Sequence, residues 1–258
     1  MLLAIDIGNT NTVLGIFAGD KLLAHFRLST FVSRTIDETY ALLYPLMQAQ
    51  KIEPSLISAV AIASVVPDCT FIYQKMAEAY FNTKPLEIGW EDYPKLPVTY
   101  PRPESLGADR FCNAVAGVQK HGQPLIVVDF GTATSFDIVN RSGEFVGGVI
   151  APGLSLSTEL HARAAQLPKI SLEFPPQVIG DNTIHAIQSG ILWGSVAMLE
   201  GMVDRIASEL EDKPVVIATG GLASLITRHT NSIQQVEPYL VLDGIRLIYE
   251  YCQLNGNL

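Results

Sequence analysis

Hydrophobic residues in the first part of the chain come in three short runs that are separated by small and polar residues. The runs cover residues 2–7, 12–17 and 22–28, and each has the length of a buried strand. The pair Gly19-Asp20 lies between the second and third runs and is a turn signal. The pattern therefore predicts three consecutive strands, of which the first two form a buried hairpin.

The period of the hydrophobic positions then changes to that of a helix over residues 35–50. Thr35 with Glu38 three residues later has the sequence of a capping box, and Pro45 is a candidate for a kink. A continuous apolar run over 57–67, with β-branched residues, predicts a buried parallel strand. The same half is predicted to contain a helix over 70–81, a proline-rich loop over 94–107 and a helix over 107–119.

The pattern of the first strands starts again in the second half of the chain. Segment 125–153 aligns with segment 2–30 at an offset of 123 residues, so that Asp129 corresponds to Asp6. The same offset also matches Gly131 with Gly8 and the turn Ser142-Gly143 with the turn Gly19-Asp20.

Two later segments complete the second copy. The run 213–225 resembles the predicted strand 57–67, and residues 182–211 are predicted to form a long helix. One face of that helix carries the small residues Gly190, Gly194 and Ala197. Two copies of one α/β unit explain the length of the chain better than one large domain. The predicted domains are 1–117 and 118–258.

Composition limits the classes of protein to which the chain can belong. Its 258 residues are 48% hydrophobic and 17% charged, which is typical of a compact globular protein. The formal net charge is −9, and the chain has no cluster of Lys or Arg. Nucleic acid and anionic membrane surfaces are therefore not expected partners.

Cysteine usage and the N-terminal sequence predict a soluble cytoplasmic protein. The three cysteines are widely spaced and include no CxxC pair, which argues against a disulfide framework or a zinc site. The N-terminus has no basic segment, and Asp6 interrupts its apolar run, so a signal peptide is not expected. The longest uncharged apolar stretch, residues 54–67, is too short to cross a membrane.

Each copy places an aspartate, a glycine and small polar residues in the turn after its first strand. Glycine lets a ligand approach the backbone closely, and successive N–H groups with Thr and Asn side chains form a concave anion site. An aspartate beside a phosphate requires a cation between them, and Mg²⁺ binds through carboxylates plus phosphate oxygens. The alternative is a pair of plain hairpin turns. The predicted phosphate contacts are Asp6, Gly8, Asn9, Thr10, Asn11 and Thr12 in the first copy and Gly131 and Thr132 in the second.

A third glycine-containing turn follows the predicted strand near residue 217. Gly220-Gly221 leaves the backbone bare, so that a flat ring can lie against it, and we expect an adenine contact there. A plain strand-to-helix turn is the alternative. The chain contains neither a Walker motif nor the motif set of protein kinases.

The segment 100–111 is stiffened by prolines and leads to Asp109 and Arg110 at the start of a predicted helix. Asp109 can stabilise the first turn of that helix. It can also accept the proton of a hydroxyl group that attacks a phosphoryl group. Arg110 can pair with a carboxylate of the substrate.

Five motifs of this chain, in their order and spacing, resemble those of the type III pantothenate kinases. The resemblance covers nearly the whole chain, and G-A-D-R and G-G-V-I-A-P-G are its most specific parts. The motifs are D-I-G-N-T-N-T at 6–12, G-A-D-R at 107–110, D-F-G-T-A-T-S-F-D at 129–137, G-G-V-I-A-P-G at 147–153 and T-G-G-L at 219–222.

The resemblance implies the fold of the acetate and sugar kinase/heat-shock/actin superfamily, in which two ribonuclease-H-like domains flank a cleft. It implies ATP-dependent phosphorylation of pantothenate to 4'-phosphopantothenate, the first step of coenzyme A biosynthesis. The implied cofactors are ATP, Mg²⁺ and a monovalent cation, K⁺ or NH₄⁺. A homodimer is also implied.

The resemblance further assigns roles to individual residues. It implies that Asp109 is the general base, that Asp6 belongs to the phosphate and Mg²⁺ loop, and that Asp129 holds the monovalent cation. The implied pantothenate contacts are Tyr100, Gly107, Ala108 and Arg110, together with Thr183 from the second subunit of the dimer.

Two other functions compete with this one. The first is another small-molecule kinase of the same fold, which the G-A-D-R segment and the short chain argue against. The second is a regulatory accessory protein that keeps the fold and acts on transcription through a partner. A purely regulatory protein could lose Asp6, Asp109 or Asp129, yet the chain has all three.

Overall fold

The computed structural model describes residues 1–164, 168, 170–210 and 212–256, which form two compact units. Unit 1 contains Met1–Ala116 together with Leu240–Leu258, and unit 2 contains Gly117–Tyr239. Each unit contains one five-stranded sheet.

The sheet of unit 1 follows the predicted succession of strands. Its strands are β1 (Leu2–Ile7), β2 (Asn11–Ala18), β3 (Lys21–Ser29), β4 (Ala59–Ser64) and β5 (Leu86–Glu87). Their order in the sheet is β3-β2-β1-β4-β5, with β1 antiparallel to β2 and parallel to β4. The helices of this part of the chain are α1 (Ile36–Ala49), α2 (Pro67–Phe81) and α3 (Ala108–His121).

Helices α1 and α2 cover one face of this sheet. Leu3 and Ile5 of β1 belong to one buried cluster with Leu43 of α1 and Met76 of α2. Burial of this apolar surface is the main force that holds the helices on the sheet. The C-terminal end of β1, where Asp6 lies, is thereby fixed beside the C-terminal end of β4.

The predicted start of α1 is confirmed. Glu38 donates its backbone N–H to the Thr35 hydroxyl at 3.2 Å, and the Thr35 N–H donates to the Glu38 carboxylate at 2.8 Å. The helix continues through Pro45 to Ala49. Helix α2 begins three residues earlier than predicted, at Pro67, because the fixed φ of proline suits the first helical position.

Unit 2 repeats the topology of unit 1. Its strands are β6 (Leu125–Phe130), β7 (Ala133–Val139), β8 (Phe145–Pro152), β9 (Val215–Thr219) and β10 (Gln235–Val236). Their order is β10-β9-β6-β7-β8, with β6 antiparallel to β7 and parallel to β9. The helices are α4 (Leu154–Ala164), α5 (Thr183–Leu210) and α6 (Ala223–Ile226). The predicted duplication of one α/β unit is confirmed.

The last helix, α7 (Leu240–Leu254), packs on β1 and β4 and so belongs to unit 1. The predicted division at 117/118 assigned this helix to the second domain, and the structure differs there. The physical reason is the apolar face of α7, which includes Ile245 and Ile248 and is buried. A Cβ added at Gly244 would overlap the carbonyl group of Cys112, so glycine lets α7 lie against the backbone of α3.

Helix α5 is long and apolar enough to cross a membrane, by length and composition alone. The prediction that 54–67 is the longest uncharged apolar stretch is therefore wrong, since residues 182–199 contain no Asp, Glu, Lys or Arg. Its buried residues include Ile191, Val196 and Leu199, which belong to the core of unit 2. In its most apolar 18-residue stretch, 44% is buried inside the unit. Because part of α5 is buried in the core of unit 2, its length and composition are weak evidence for a membrane span.

Candidate active site

The turn between β1 and β2 is held in one conformation by backbone hydrogen bonds. Gly8 donates its N–H to the carbonyl of Asn11 at 3.1 Å. A Cβ on Gly8 would lie only 3.1 Å from that carbonyl oxygen, which is tight for any other residue. Asn9 and Thr10 are exposed at the tip, beyond the partly buried Asp6. The turn therefore presents polar groups to solvent, as a phosphate site requires.

Thr30, which the sequence analysis did not identify, fastens this turn from the end of β3. Its hydroxyl donates to the Gly8 carbonyl at 2.6 Å, and its N–H donates to the Thr10 carbonyl at 2.9 Å. The Thr12 side chain is fully buried, and its hydroxyl shares a 3.0 Å hydrogen bond with that of Thr30. Thr12, which we predicted to contact phosphate, thus faces the interior of the unit and supports the turn.

Asp109 is the second residue of α3, where the helix dipole stabilises a negative charge. Its Oδ1 accepts the backbone N–H of Arg110 at 2.8 Å. Burial raises the pKa of the Asp109 carboxyl above its ordinary value, and the Arg110 N–H and charge oppose that shift without cancelling it. A partly buried carboxylate with a raised pKa is a better proton acceptor than an exposed aspartate.

The end of β1, which carries Asp6, and the start of α3, which carries Asp109, both lie beside Val65 in unit 1: the Val65 N–H donates to the Ile7 carbonyl at 3.1 Å, and a Cβ at Gly107 would lie 3.3 Å from Cγ1 of Val65. Burial is the main cause that raises the pKa of Cys112 well above its usual range, and the charges of Asp6, Asp109 and Asp92 raise it further. Asp92 was not predicted, since no local motif in the sequence distinguishes it.

A cavity of about 440 Å³ opens beside the start of α3. Gly107 and Ala108 line it on one side, and Trp90 and Ile88 line it on another. Its other lining residues are Ser64, Val65, Gly89, Glu104, Ser105 and Leu106. Tyr100 is half-buried in the loop that precedes this helix, and Arg110 is partly buried.

The corresponding turn in unit 2 carries Asp129 near the end of β6. Gly131 donates its N–H to the Ala133 carbonyl at 3.0 Å, and Thr132 is exposed at the tip. A Cβ on Gly131 would lie 3.4 Å from Oδ1 of Asp129. Both turns thus place a glycine directly after the strand, but the second turn is one residue shorter, since Ile7 pairs with Thr12 and Phe130 with Thr134.

Gly220 lies against the Asp129 carboxylate. Its φ is +91°, and a Cβ there would overlap both Oδ1 of Asp129 and the backbone of Phe130. The structure therefore places Gly220 beside a carboxylate, where sequence reasoning expected an adenine contact. Gly221, its neighbour, is exposed.

Gly153, at the end of the G-G-V-I-A-P-G motif, supports the same turn. A Cβ at this position would overlap the carbonyl of Thr132, so glycine allows the chain before α4 to pack directly on the turn. The motif was visible in the sequence, but its contact partner was not.

Thr183 is exposed at the first position of α5. The side chain of Asn182 accepts the backbone N–H of His185 at 3.0 Å and caps this helix. Within the described part of the chain, no group of three or more His, Cys, Asp or Glu side chains could hold a metal ion. A cation at Asp6 or Asp129 would therefore need further oxygen ligands, such as phosphate or backbone carbonyls, which suits Mg²⁺ and K⁺.

Comparison with known sequences yields a consistent group of relatives. A family model described as Type III pantothenate kinase matches residues 2–205. The type III pantothenate kinase of Myxococcus xanthus is 45% identical over 250 residues, which are 96% of this chain and 98% of that protein. The type III pantothenate kinase of Geobacter sulfurreducens is 47% identical over 251 residues, or 97% of this chain and 98% of that protein.

Solved structures show the same fold at low identity. A Baf family transcriptional activator from Campylobacter jejuni aligns with a TM-score of 0.63 at 18% identity, over 99% of this chain and 100% of that chain. The ROK hexokinase from Thermus thermophilus aligns with a TM-score of 0.52 at 12% identity, over 98% and 99% of the two chains. The duplicated units therefore have the predicted fold of the sugar kinase and actin superfamily.

Proposed function

The chain belongs to the type III pantothenate kinase family, and from this premise we propose that Asp6, Asp109 and Asp129 carry the charges that its reaction requires. The protein is an ATP-dependent pantothenate kinase of coenzyme A biosynthesis. It uses ATP with a divalent metal ion. In the reaction, the 4'-hydroxyl oxygen of pantothenate forms a bond to the γ-phosphorus of ATP, and the bond to the leaving oxygen of ADP breaks.

Asp109 accepts the proton of the attacking hydroxyl group. This proposal is supported by the position of the start of α3 beside the end of β1, which meet at Val65, because the base and the phosphate turn must meet at the reacting atoms. The raised pKa of Asp109 brings its proton affinity closer to that of a working base near neutral pH. The acceptor lies in the cavity beside Gly107 and Ala108, with Arg110 on its carboxylate and Tyr100 in contact with it.

Each turn, within its own unit, is a candidate site for phosphate groups of ATP. In the first turn, backbone N–H groups and the exposed side chains of Asn9 and Thr10 contact phosphate oxygens, and the side chain of Asn11 stands beside them. In the second turn, Gly131 and Thr132 do the same. Asp6 would hold Mg²⁺ through the phosphates, and the bound ion would supply positive charge opposite the transferred phosphoryl group. Gly220 and Gly221 have no side chains, so the rest of the nucleotide can lie directly against the backbone there.

Asp129 would hold a monovalent cation, K⁺ or NH₄⁺. The proposal is supported by the close approach of Gly220 and Gly131 to this carboxylate, since a Cβ at these positions would lie 2.4 Å and 3.4 Å from Oδ1 of Asp129 and would crowd that oxygen. A cation bound at Asp129 would also explain why this turn, which we propose binds phosphate, carries an acidic residue as the first turn does.

Pantothenate-dependent release of ADP from Mg·ATP tests the proposed function and the cation site together. We expect turnover that needs pantothenate and that rises on adding K⁺ or NH₄⁺ in place of Na⁺. Asp129→Asn should abolish this rise, whereas Asp204→Asn, which removes an exposed carboxylate on α5, should preserve it. Turnover that is equal in Na⁺ and K⁺ would contradict the cation site, and no turnover with pantothenate in either salt would contradict the activity.

We also propose that the protein is a homodimer in which Thr183 of one subunit reaches the pantothenate site of the other. The start of α5 leaves apolar side chains uncovered, since Ile179 is 86% exposed and Ile184 is 46% exposed. Apolar surface of this kind marks interaction sites. The small residues Gly190, Gly194 and Ala197 continue the same helix and would allow close packing.

Ile179→Glu should shift the protein from dimer to monomer and lower kcat/KM for pantothenate, because each site then loses the partner's threonine. Light scattering after gel filtration measures the mass, and kinetics at the same concentration measure the activity. Phe71→Glu, at another exposed apolar residue, on α2, should leave a dimer. A fully active wild-type monomer would contradict the proposal.

A further inference from the structure

Gly107 occupies a position at which the helix itself would favour another residue. Its carbonyl accepts the N–H of Phe111 at 3.1 Å, so it is the residue that caps α3. Ser, Asp and Asn stabilise such positions better than glycine does. The φ of Gly107 lies outside the left-handed region, so the backbone does not require glycine either. The reason for glycine must lie in the space around it.

That space is occupied by the Asp109 carboxylate. A Cβ at position 107 would lie 2.5 Å from Oδ1 of Asp109, 3.7 Å from its Cγ and 3.3 Å from Cγ1 of Val65. The same Oδ1 accepts the Arg110 N–H at 2.8 Å. A side chain at 107 therefore competes with the carboxylate for its hydrogen-bonded position.

We propose that Gly107 is a positioning residue for the general base: the missing side chain at 107 keeps the Asp109 carboxylate in its productive orientation. This inference rests on the proposed role of Asp109. It goes beyond the pantothenate contact that the family resemblance implies for Gly107. The severe overlap is with the movable end of a side chain and not with backbone, so Gly107→Ala displaces the carboxylate and preserves the fold.

Gly107→Ala should lower kcat by about 10- to 100-fold, the scale of a catalytic group held in the wrong place. The Kd of pantothenate, measured by calorimetry, should change by less than about threefold, because the acceptor still fits its cavity. If Gly107 only contacted the substrate, Gly107→Ala would weaken the binding of pantothenate and leave kcat unchanged. That result would overturn the proposal.

A double-mutant cycle with Asp109→Asn separates the proposal from the function on which it rests. If Gly107 acts through Asp109, Gly107→Ala should change kcat by less than about twofold in the Asp109→Asn background. An equal loss in both backgrounds would show that Gly107 acts independently, and the proposal would fail while the base role stands. Full activity of Asp109→Asn alone would instead remove the base role itself.

A stability cycle covers the case in which Gly107→Ala folds poorly. Asp109→Ala removes the Oδ1 and Cγ atoms that a Cβ at 107 would meet and leaves the 3.3 Å approach to Cγ1 of Val65, so adding Gly107→Ala to it should lower Tm less than adding it to the wild type. An undiminished loss of Tm would place the conflict elsewhere and contradict the proposal. Gly201→Ala is the matched control, since its Cβ also meets the end of a charged side chain, Arg205 Nη1 at 3.0 Å, and its kcat should equal that of the wild type.

Discussion

Asp109→Asn lowers kcat for pantothenate phosphorylation by about 10²- to 10⁴-fold, the usual loss when a general base is removed. Asparagine keeps the shape of the side chain and can still accept the Arg110 N–H, but it cannot take the proton of the attacking hydroxyl. Binding of pantothenate and of Mg·ATP should change little, so the loss appears in kcat. Steady-state kinetics with an ADP readout measure it.

The same substitution should preserve or raise Tm near neutral pH. Burial raises the pKa of Asp109 above its ordinary value of 3.8, so the fold disfavours the ionised form. The stability that this group contributes is fully present below its unfolded pKa and is lost as pH rises through its raised folded pKa. The neutral amide of the Asp109→Asn variant carries no such loss, so the Tm difference in favour of the variant should grow from acidic to neutral pH.

Asp68→Asn is the matched control for this experiment. Asp68 is the second residue of α2, as Asp109 is of α3, but its side chain is exposed. Its loss should leave kcat unchanged and slightly lower stability, because a first-turn carboxylate interacts favourably with the helix dipole. Wild-type kcat in Asp109→Asn, or an equal loss of kcat in Asp68→Asn, would exclude the base role.

Asp6→Asn raises the Mg²⁺ concentration needed for half-maximal activity by about 10- to 100-fold. Metal affinity typically falls by this factor when a residue that supports a metal site without binding the ion directly is replaced. The neutral amide fits the turn but cannot attract an ion that lies on the phosphates. Removing the charge also removes its repulsion of phosphate, so ATP without metal should bind as well as before or better. Mg²⁺ titrations of activity and calorimetry with metal-free ATP measure the two effects.

Asp20→Asn provides the control, because Asp20 is an exposed carboxylate in the turn between β2 and β3. Its Mg²⁺ dependence should equal that of the wild type. If Asp6→Asn also keeps the wild-type Mg²⁺ dependence, Asp6 does not hold the metal. If the variant loses affinity for metal-free ATP as well, its effect is a disturbed turn and not a lost charge.

The sequence alone determined those features that depend on neighbours along the chain. The length of the continuous apolar runs and the turn signals between them predicted the main strands of both sheets, and the Thr35–Glu38 pair predicted the start of α1. The 123-residue offset between Asp6 and Asp129 predicted the duplicated topology. Strand length, helix caps and tight turns are local effects, so each leaves a readable pattern within a few residues.

Only the tertiary structure decided which distant residues meet. It assigned α7 to unit 1, because the apolar face of that helix and Gly244 fit against residues more than a hundred positions earlier. It placed Thr30 on the β1–β2 turn, turned Thr12 inward and set Gly220 against Asp129. The raised pKa of Asp109 has the same origin, since burial is produced by packing of the whole unit and not by the residues beside it.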